Sequence, residues 1–120
     1  MSDKYYIEKN CVHFPTHTIP FQYSVLQSIE IGDMLIIRIG EYDKVINYEQ
    51  NVFGLSISEE KIKWQIEKRK YPKGGWVVRM KCPFVGIGFD EDGLKLTNWC
   101  STTLIVDPVT GEVLKDEYIK

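Results

Sequence analysis

Cys11, His13 and His17 place three potential soft-metal ligands within seven residues, and this is the first point at which the sequence could do chemistry. A structural zinc site needs four ligands in tetrahedral geometry, and His-x3-His grips a metal from one face of a helix. Phe14-Pro15 and Ile19-Pro20 oppose a helix here, and no fourth ligand stands at a fitting spacing. The expectation is therefore two loop histidines and a buried thiol, with no metal and no cofactor.

Asp90-Glu91-Asp92-Gly93 opens like a calcium loop, but the positions that should next supply an oxygen ligand and then glycine are Leu94 and Lys95. Asp-Gly there reads instead as the tip of a hairpin. Lys68-Arg69-Lys70-Tyr71-Pro72-Lys73-Gly74-Gly75-Trp76 joins four cations to two aromatics, the ingredients of a platform for single-stranded nucleic acid. For catalysis there is no G-x-S-x-G elbow, no phosphate-cradling glycine loop, no H-E-x-x-H and no histidine base beside a nucleophile. Nothing in the sequence predicts an enzyme.

The elements that must position these residues are bounded by composition. A chain of 120 residues, 43% hydrophobic and 27% charged, is too apolar for disorder and suits one domain over residues 1–120. A net charge of −2 and a pI near 5.7 oppose a broad phosphate-binding surface and permit a basic protein partner. Met1-Ser2-Asp3-Lys4-Tyr5 lacks the order of a secretory signal, and no apolar run approaches membrane-spanning length. Cys11, Cys82 and Cys100 form no C-x-x-C pair and are odd in number, which predicts three free thiols in a reducing cytoplasm.

Ile62-Lys63-Trp64-Gln65-Ile66-Glu67 alternates apolar and polar residues strictly, so Ile62, Trp64 and Ile66 should share the buried face of a strand. With Val52 to Ile57 before it and the polar turn Ser58-Glu59-Glu60-Lys61 between, it makes a hairpin. Phe84 to Phe89 and Leu94 to Trp99 make a second around Asp90–Gly93. Thr102 to Val106, the turn Asp107-Pro108-Val109-Thr110-Gly111 and Glu112 to Ile119 make a third. Val25 to Ile31 alternates through Val25, Gln27, Ile29 and Ile31, and the near-continuous run Met34 to Ile39 is expected to be the most buried strand. His13–Pro20 and Lys68–Gly75 read as loops. The fold class expected is mainly β with little helix: an antiparallel meander of about eight to ten strands forming a sandwich or half-open barrel.

Ile36-Ile37-Arg38-Ile39, Asn51-Val52-Phe53-Gly54-Leu55, Ile62-Lys63-Trp64-Gln65-Ile66, Leu96-Thr97-Asn98-Trp99 and Ile105–Val113 together resemble the small immunity proteins of bacterial polymorphic-toxin and contact-dependent growth inhibition systems. The resemblance lies in strand and turn order over residues 25–120. It implies a cytoplasmic protein that binds a cognate toxin domain, often a nuclease, and blocks its active site or substrate access. It transfers no functional residue, since Trp64, Ile66, Leu96 and Ile105 read as core and Asn51, Asp107 and Gly111 as turn and pairing positions. The partner-binding candidates come from charge and exposure: Glu41, Tyr42 and Asp43 in a polar connection, and Asp90, Glu91 and Asp92 at a hairpin tip. The alternative is a small β domain binding nucleic acid or a ligand through residues 68–76.

Overall fold

A strand covered on one face alternates in hydrophobicity, whereas a strand covered on both faces becomes continuously apolar. Both patterns find their place in the computed structural model, which describes residues 4–44, 46, 48–67 and 82–118. Three antiparallel sheets follow one another along the chain. The first holds β1 (Tyr6–Glu8), β2 (Cys11–His13) and β3 (Thr18–Pro20); the second β4 (Ser24–Ile31), β5 (Met34–Gly40), β6 (Val52–Ser56) and β7 (Lys61–Gln65); the third β8 (Phe84–Asp90), β9 (Gly93–Asn98), β10 (Thr102–Val106) and β11 (Val113–Tyr118). That is eleven strands among the described residues, slightly above the eight to ten expected. No helix there is long and apolar enough to cross a membrane.

The second sheet is the middle layer. Leu35, Ile37, Ile39, Phe53 and Leu55 on one of its faces pack with Val12, Phe14 and Phe21 of the N-terminal segment. Met34, Ile36, Val52 and Trp64 on the other pack with Phe84, Leu94, Leu96, Leu104 and Val106 of the third sheet. Burial on both sides is why Met34–Ile39 is a near-continuous apolar run; β5 is buried at every position but Arg38, whereas β6, buried at all five of its positions, and not β5 as expected, is the most uniformly buried strand.

The expected alternation fails where a strand carries an extra residue, because a bulge sends the following side chains to the opposite face. On β7, Ile62 pairs with Leu55 and Trp64 with Gly54, leaving Lys63 unpaired between them. Ile62 is therefore 41% exposed and does not share the face of Trp64 and Ile66, which are buried as expected. A bulge at Leu26 likewise separates Val25 from Gln27, Ile29 and Ile31. Ile105 pairs with Lys95 on the outer face of the third sheet and is only partly covered, whereas the Leu104 and Val106 that flank it are core.

Two further expectations are corrected. His13–Pro20 is not all loop: Cys11–His13 pairs with Thr18–Pro20, and the Phe14 N–H donates to the His17 carbonyl at 2.7 Å to close the turn. Pro20 fits because β3 is an edge strand, where a missing N–H costs no ladder bond. The thiols are not all free either. Cys82 and Cys100 form a disulfide with Cα atoms 5.5 Å apart, joining the residues before β8 and after β9, and Cys11 remains free. Antiparallel pairing brings together two cysteines 18 residues apart, and the cysteine argument for a reducing compartment lapses.

One carboxylate ties the β4–β5 turn to the β6–β7 turn. Asp33 Oδ2 accepts from the Ser56 and Ser58 hydroxyls at 2.7 and 2.8 Å, and Oδ1 accepts from the Ser58 N–H at 2.9 Å. The Ser56 and then the Ser58 hydrogen bonds hold the Asp33 carboxyl below its ordinary value of 3.8. A carboxyl depressed in this way contributes stability above its unfolded pKa and loses the contribution as pH falls through its folded value. The urea midpoint should therefore be level near neutrality and fall below about pH 4, and Asp33→Asn should make that fall shallower. An unchanged acid slope in the variant would remove Asp33 from this role.

Candidate functional site

The side chains that β5 directs towards the third sheet run Met34, Ile36, Arg38, so a guanidinium stands where the alternation asks for an apolar group. Such a cation is seldom buried without a partner. Arg38 is half-buried, and burial lowers its pKa from the ordinary value while leaving it a cation. Its Nε donates to Gln27 Oε1 at 2.6 Å, and the same oxygen accepts the Ile87 N–H at 3.1 Å. One amide thus fixes the guanidinium and bridges the edge strands β4 and β8. Gln27 reaches this position because the Leu26 bulge turns it to the Arg38 side. Among the described residues the terminal nitrogens of Arg38 have no hydrogen-bond or ion-pair partner.

Beside Arg38 lies a cleft of about 430 Å³. It is lined by Leu26 and Val85, the extra residues of the two edge-strand bulges, by Asn51, Pro83 and Phe84, and by the turn Glu41–Lys44. Asn51 is 1% exposed: its Nδ2 donates to the carbonyls of Ile39 and Phe84, each at 2.9 Å, and its Oδ1 accepts the Phe84 N–H at 2.8 Å. This amide pairs with Phe84 as a neighbouring strand would and holds the start of β8 against the end of β5. The disulfide and the Trp99 N–H bond to the Pro83 carbonyl, 2.9 Å, anchor the segment from the other side. Gly40 keeps the interior open, since a Cβ there would sit 3.0 Å from Leu26 Cδ1 and 4.0 Å from Arg38 Nη1.

Three of the six expected partner-binding residues line this cleft. Glu41 and Lys44 close the turn through a bridge and a 3.3 Å ion pair, while Tyr42 between them is 82% exposed and Asp43 is exposed beside it. Asp90, Glu91 and Asp92 are also exposed, but at the far end of the seven-residue strand β8. At about 3.4 Å per residue the two groups stand roughly 20 Å apart. Neither is purely acidic. Lys95 Nζ lies 2.9 Å from Asp90 and 3.3 Å from Asp92, holding the Asp90 carboxyl below its ordinary value while Asp90 raises Lys95.

The other candidates stay apart from the cleft. His13 Nδ1 lies 3.0 Å from the Thr18 hydroxyl and Nε2 3.3 Å from Glu8, with the ring stacked on Tyr6, and His17 Nδ1 lies 3.2 Å from Glu60. Among the described residues no three His, Cys, Asp or Glu side chains gather as a metal site. Residues 68–76, the basic and aromatic segment, lie outside the described residues.

Arg38, Gln27 and Val85 were not singled out from the sequence. Arg38 did leave a signal, being the one charge inside the apolar run Met34–Ile39. Gln27 and Val85 left none, because their placement depends on bulges. No family model, curated protein or solved structure matches the chain, so the chemistry of the cleft itself carries the functional reading.

Proposed function

We propose that the protein is an immunity protein of a bacterial polymorphic-toxin or contact-dependent growth inhibition system, which binds a cognate toxin domain, such as a nuclease, and blocks its active site or substrate access. The observation that carries this reading is Tyr42, 82% exposed on the turn that borders the cleft. A tyrosine offers a large contact area with few rotors to freeze, the property that makes aromatic residues dominate interface energetics. Val85, 42% exposed, extends the apolar part of the surface, and Asp43 and Glu41 supply carboxylates that can stand in for phosphates in a basic substrate groove. The 90–92 tip is a second contact, without an exposed aromatic residue among its three acids and at the far end of β8 from the cleft.

Co-purification from the native host, with identification of the bound protein, supplies the partner. Tyr42→Ala should then weaken its binding by about 2 kcal/mol or more, and Asp43→Lys should slow association at low salt more than reversal of Asp90 or Asp92 does. Folding should barely change, since isolated surface substitutions move stability by less than about 0.5 kcal/mol. Unchanged rates and affinity in both 42–43 variants would end the proposal for this surface. Retardation of RNA or DNA in a gel, weakening with salt, would instead favour the basic segment 68–76.

A further inference from the structure

We propose that the cleft beside Arg38 is a binding site for a monoanionic carboxylate, which the Arg38 guanidinium grips through its terminal nitrogens. The inference does not depend on the identity of a toxin or on whether there is one.

Arg38 occupies a core-facing position in series with Met34 and Ile36, yet among the described residues it has no counter-ion. A half-buried cation without an ion pair carries a desolvation cost that is only partly offset, and a ligand carboxylate in direct contact reduces it. The grip is prepared in advance. Nε is taken by Gln27, and Gln27 is itself held by the Ile87 N–H, so the plane of the guanidinium is fixed while, among the described residues, nothing occupies its outer nitrogens. A fixed planar fork matches the two oxygens of a carboxylate, with little rotamer freedom left to lose on binding. Gly40 leaves room next to Nη1, and about 430 Å³ falls within the range of small-molecule sites, roughly 300–1,000 Å³.

Charge around the site selects the class of anion. Glu41 and Asp43 line the same cleft, and Glu41 is balanced by Lys44 at 3.3 Å. A single negative charge on Arg38 is tolerated beside Asp43, whereas the second charge of a phosphate meets repulsion without a second cation to absorb it. The carboxylate can belong to a free metabolite-sized acid or to an acidic side chain of a bound protein, since the recognising chemistry is the same.

Titration of the isotopically labelled full chain with N-acetylglycine, monitored by NMR, tests the proposal. The amides of Gly40, Glu41, Tyr42 and Val85 and the Arg38 Nε–H should shift and saturate at millimolar concentrations. Arg38→Gln should weaken the effect by about tenfold or more, with Arg38→Lys between the two. Asp43→Asn should tighten binding, and inorganic phosphate should bind more weakly than the carboxylate. A blocked peptide with one Glu that binds more tightly than N-acetylglycine places the carboxylate on a protein partner, and the reverse order places it on a free small acid. Shifts that survive unchanged in Arg38→Gln, phosphate binding as tight as the carboxylate, or the absence of any saturable shift would each overturn the proposal. Should Arg38→Gln fail to fold, the Arg38 Nε–H resonance of the parent decides: it must move with the ligand.

Discussion

Trp64→Ala is expected to lower stability by about 3–5 kcal/mol, the range for emptying an aromatic site in a packed core. The indole is held more specifically than burial alone requires. It lies between two glycines: a Cβ at Gly54 on the paired strand would come within 2.2 Å of the ring, and one at Gly111 within 2.6 Å. Its Nε1 donates to the Pro108 carbonyl at 2.8 Å. The ring therefore fastens β7, an edge of the middle sheet, to the β10–β11 turn of the third sheet, opposite the edge where Gln27 meets β8. Alanine leaves a void against both glycines and a carbonyl without its donor. Trp64→Phe keeps most of the contact and loses the hydrogen bond, so a smaller loss of about 1–2 kcal/mol is expected. Gly54→Ala should cost about 1–3 kcal/mol or more from the opposite fault, overpacking against the indole. Urea denaturation of the three variants checks the order. A Trp64→Ala protein that melts like the parent but no longer binds a protein that co-purifies with the parent would make Trp64 an interface anchor instead of a core residue.

The hairpins from Val52 onwards were legible because each is local: alternating side chains, a turn residue with the right φ and a returning strand all sit within about 15 residues. Gly93, with φ 117°, and Gly111, with φ 77°, carry the positive angles the turn chemistry anticipates. Sequence periodicity could not supply the effect of single extra residues. The bulges at Leu26, Lys63 and Val85 switch the faces that neighbouring side chains occupy, which exposes Ile62, brings Gln27 to Arg38 and opens the cleft. The N-terminal sheet escaped for another reason. Its strands are three residues long and two prolines lie in or beside the second hairpin, so neither period nor propensity could declare it. The Cys82–Cys100 bond was equally hidden, because pairing across a sheet leaves no spacing signature. Of the residues that line the cleft, Glu41, Tyr42 and Asp43 were singled out through charge and turn position, whereas Arg38 was absorbed into an apolar run. A lone charge in series with the buried Met34 and Ile36 departs from the local pattern, and such departures are where a candidate site is to be sought.

Asn51→Ala is expected to cost on the order of 3–5 kcal/mol, although it removes only a small polar side chain. The Asn51 amide answers the Phe84 N–H and two carbonyls, those of Ile39 and Phe84, in a place where water does not reach Asn51. An unanswered buried donor or acceptor costs about 1–3 kcal/mol, and three at once make this residue count like a large core side chain. Because the amide pins the start of β8 to the end of β5, losing it also loosens the Asn51, Phe84 and Val85 side of the cleft, and any ligand of the cleft should bind more weakly in whatever fraction stays folded. Asn51→Asp separates this account from a simple loss of packing. The replacement is isosteric, but one carboxylate oxygen then faces the Ile39 and Phe84 carbonyls that Nδ2 had served, so the ionised form is repelled and the protonated form can donate to one of them. The pKa of the new carboxyl is raised in the folded chain, hence its stability contribution is present below the unfolded value, about 3.9, and is lost as pH rises through the folded value. This variant should gain stability relative to Asn51→Ala as the solution is acidified from neutrality, while the parent, with its depressed Asp33 carboxyl, gains none. A difference between the two variants that stays constant from pH 7 to about pH 5 would show that the Asn51 amide does not bridge the two strands in this way.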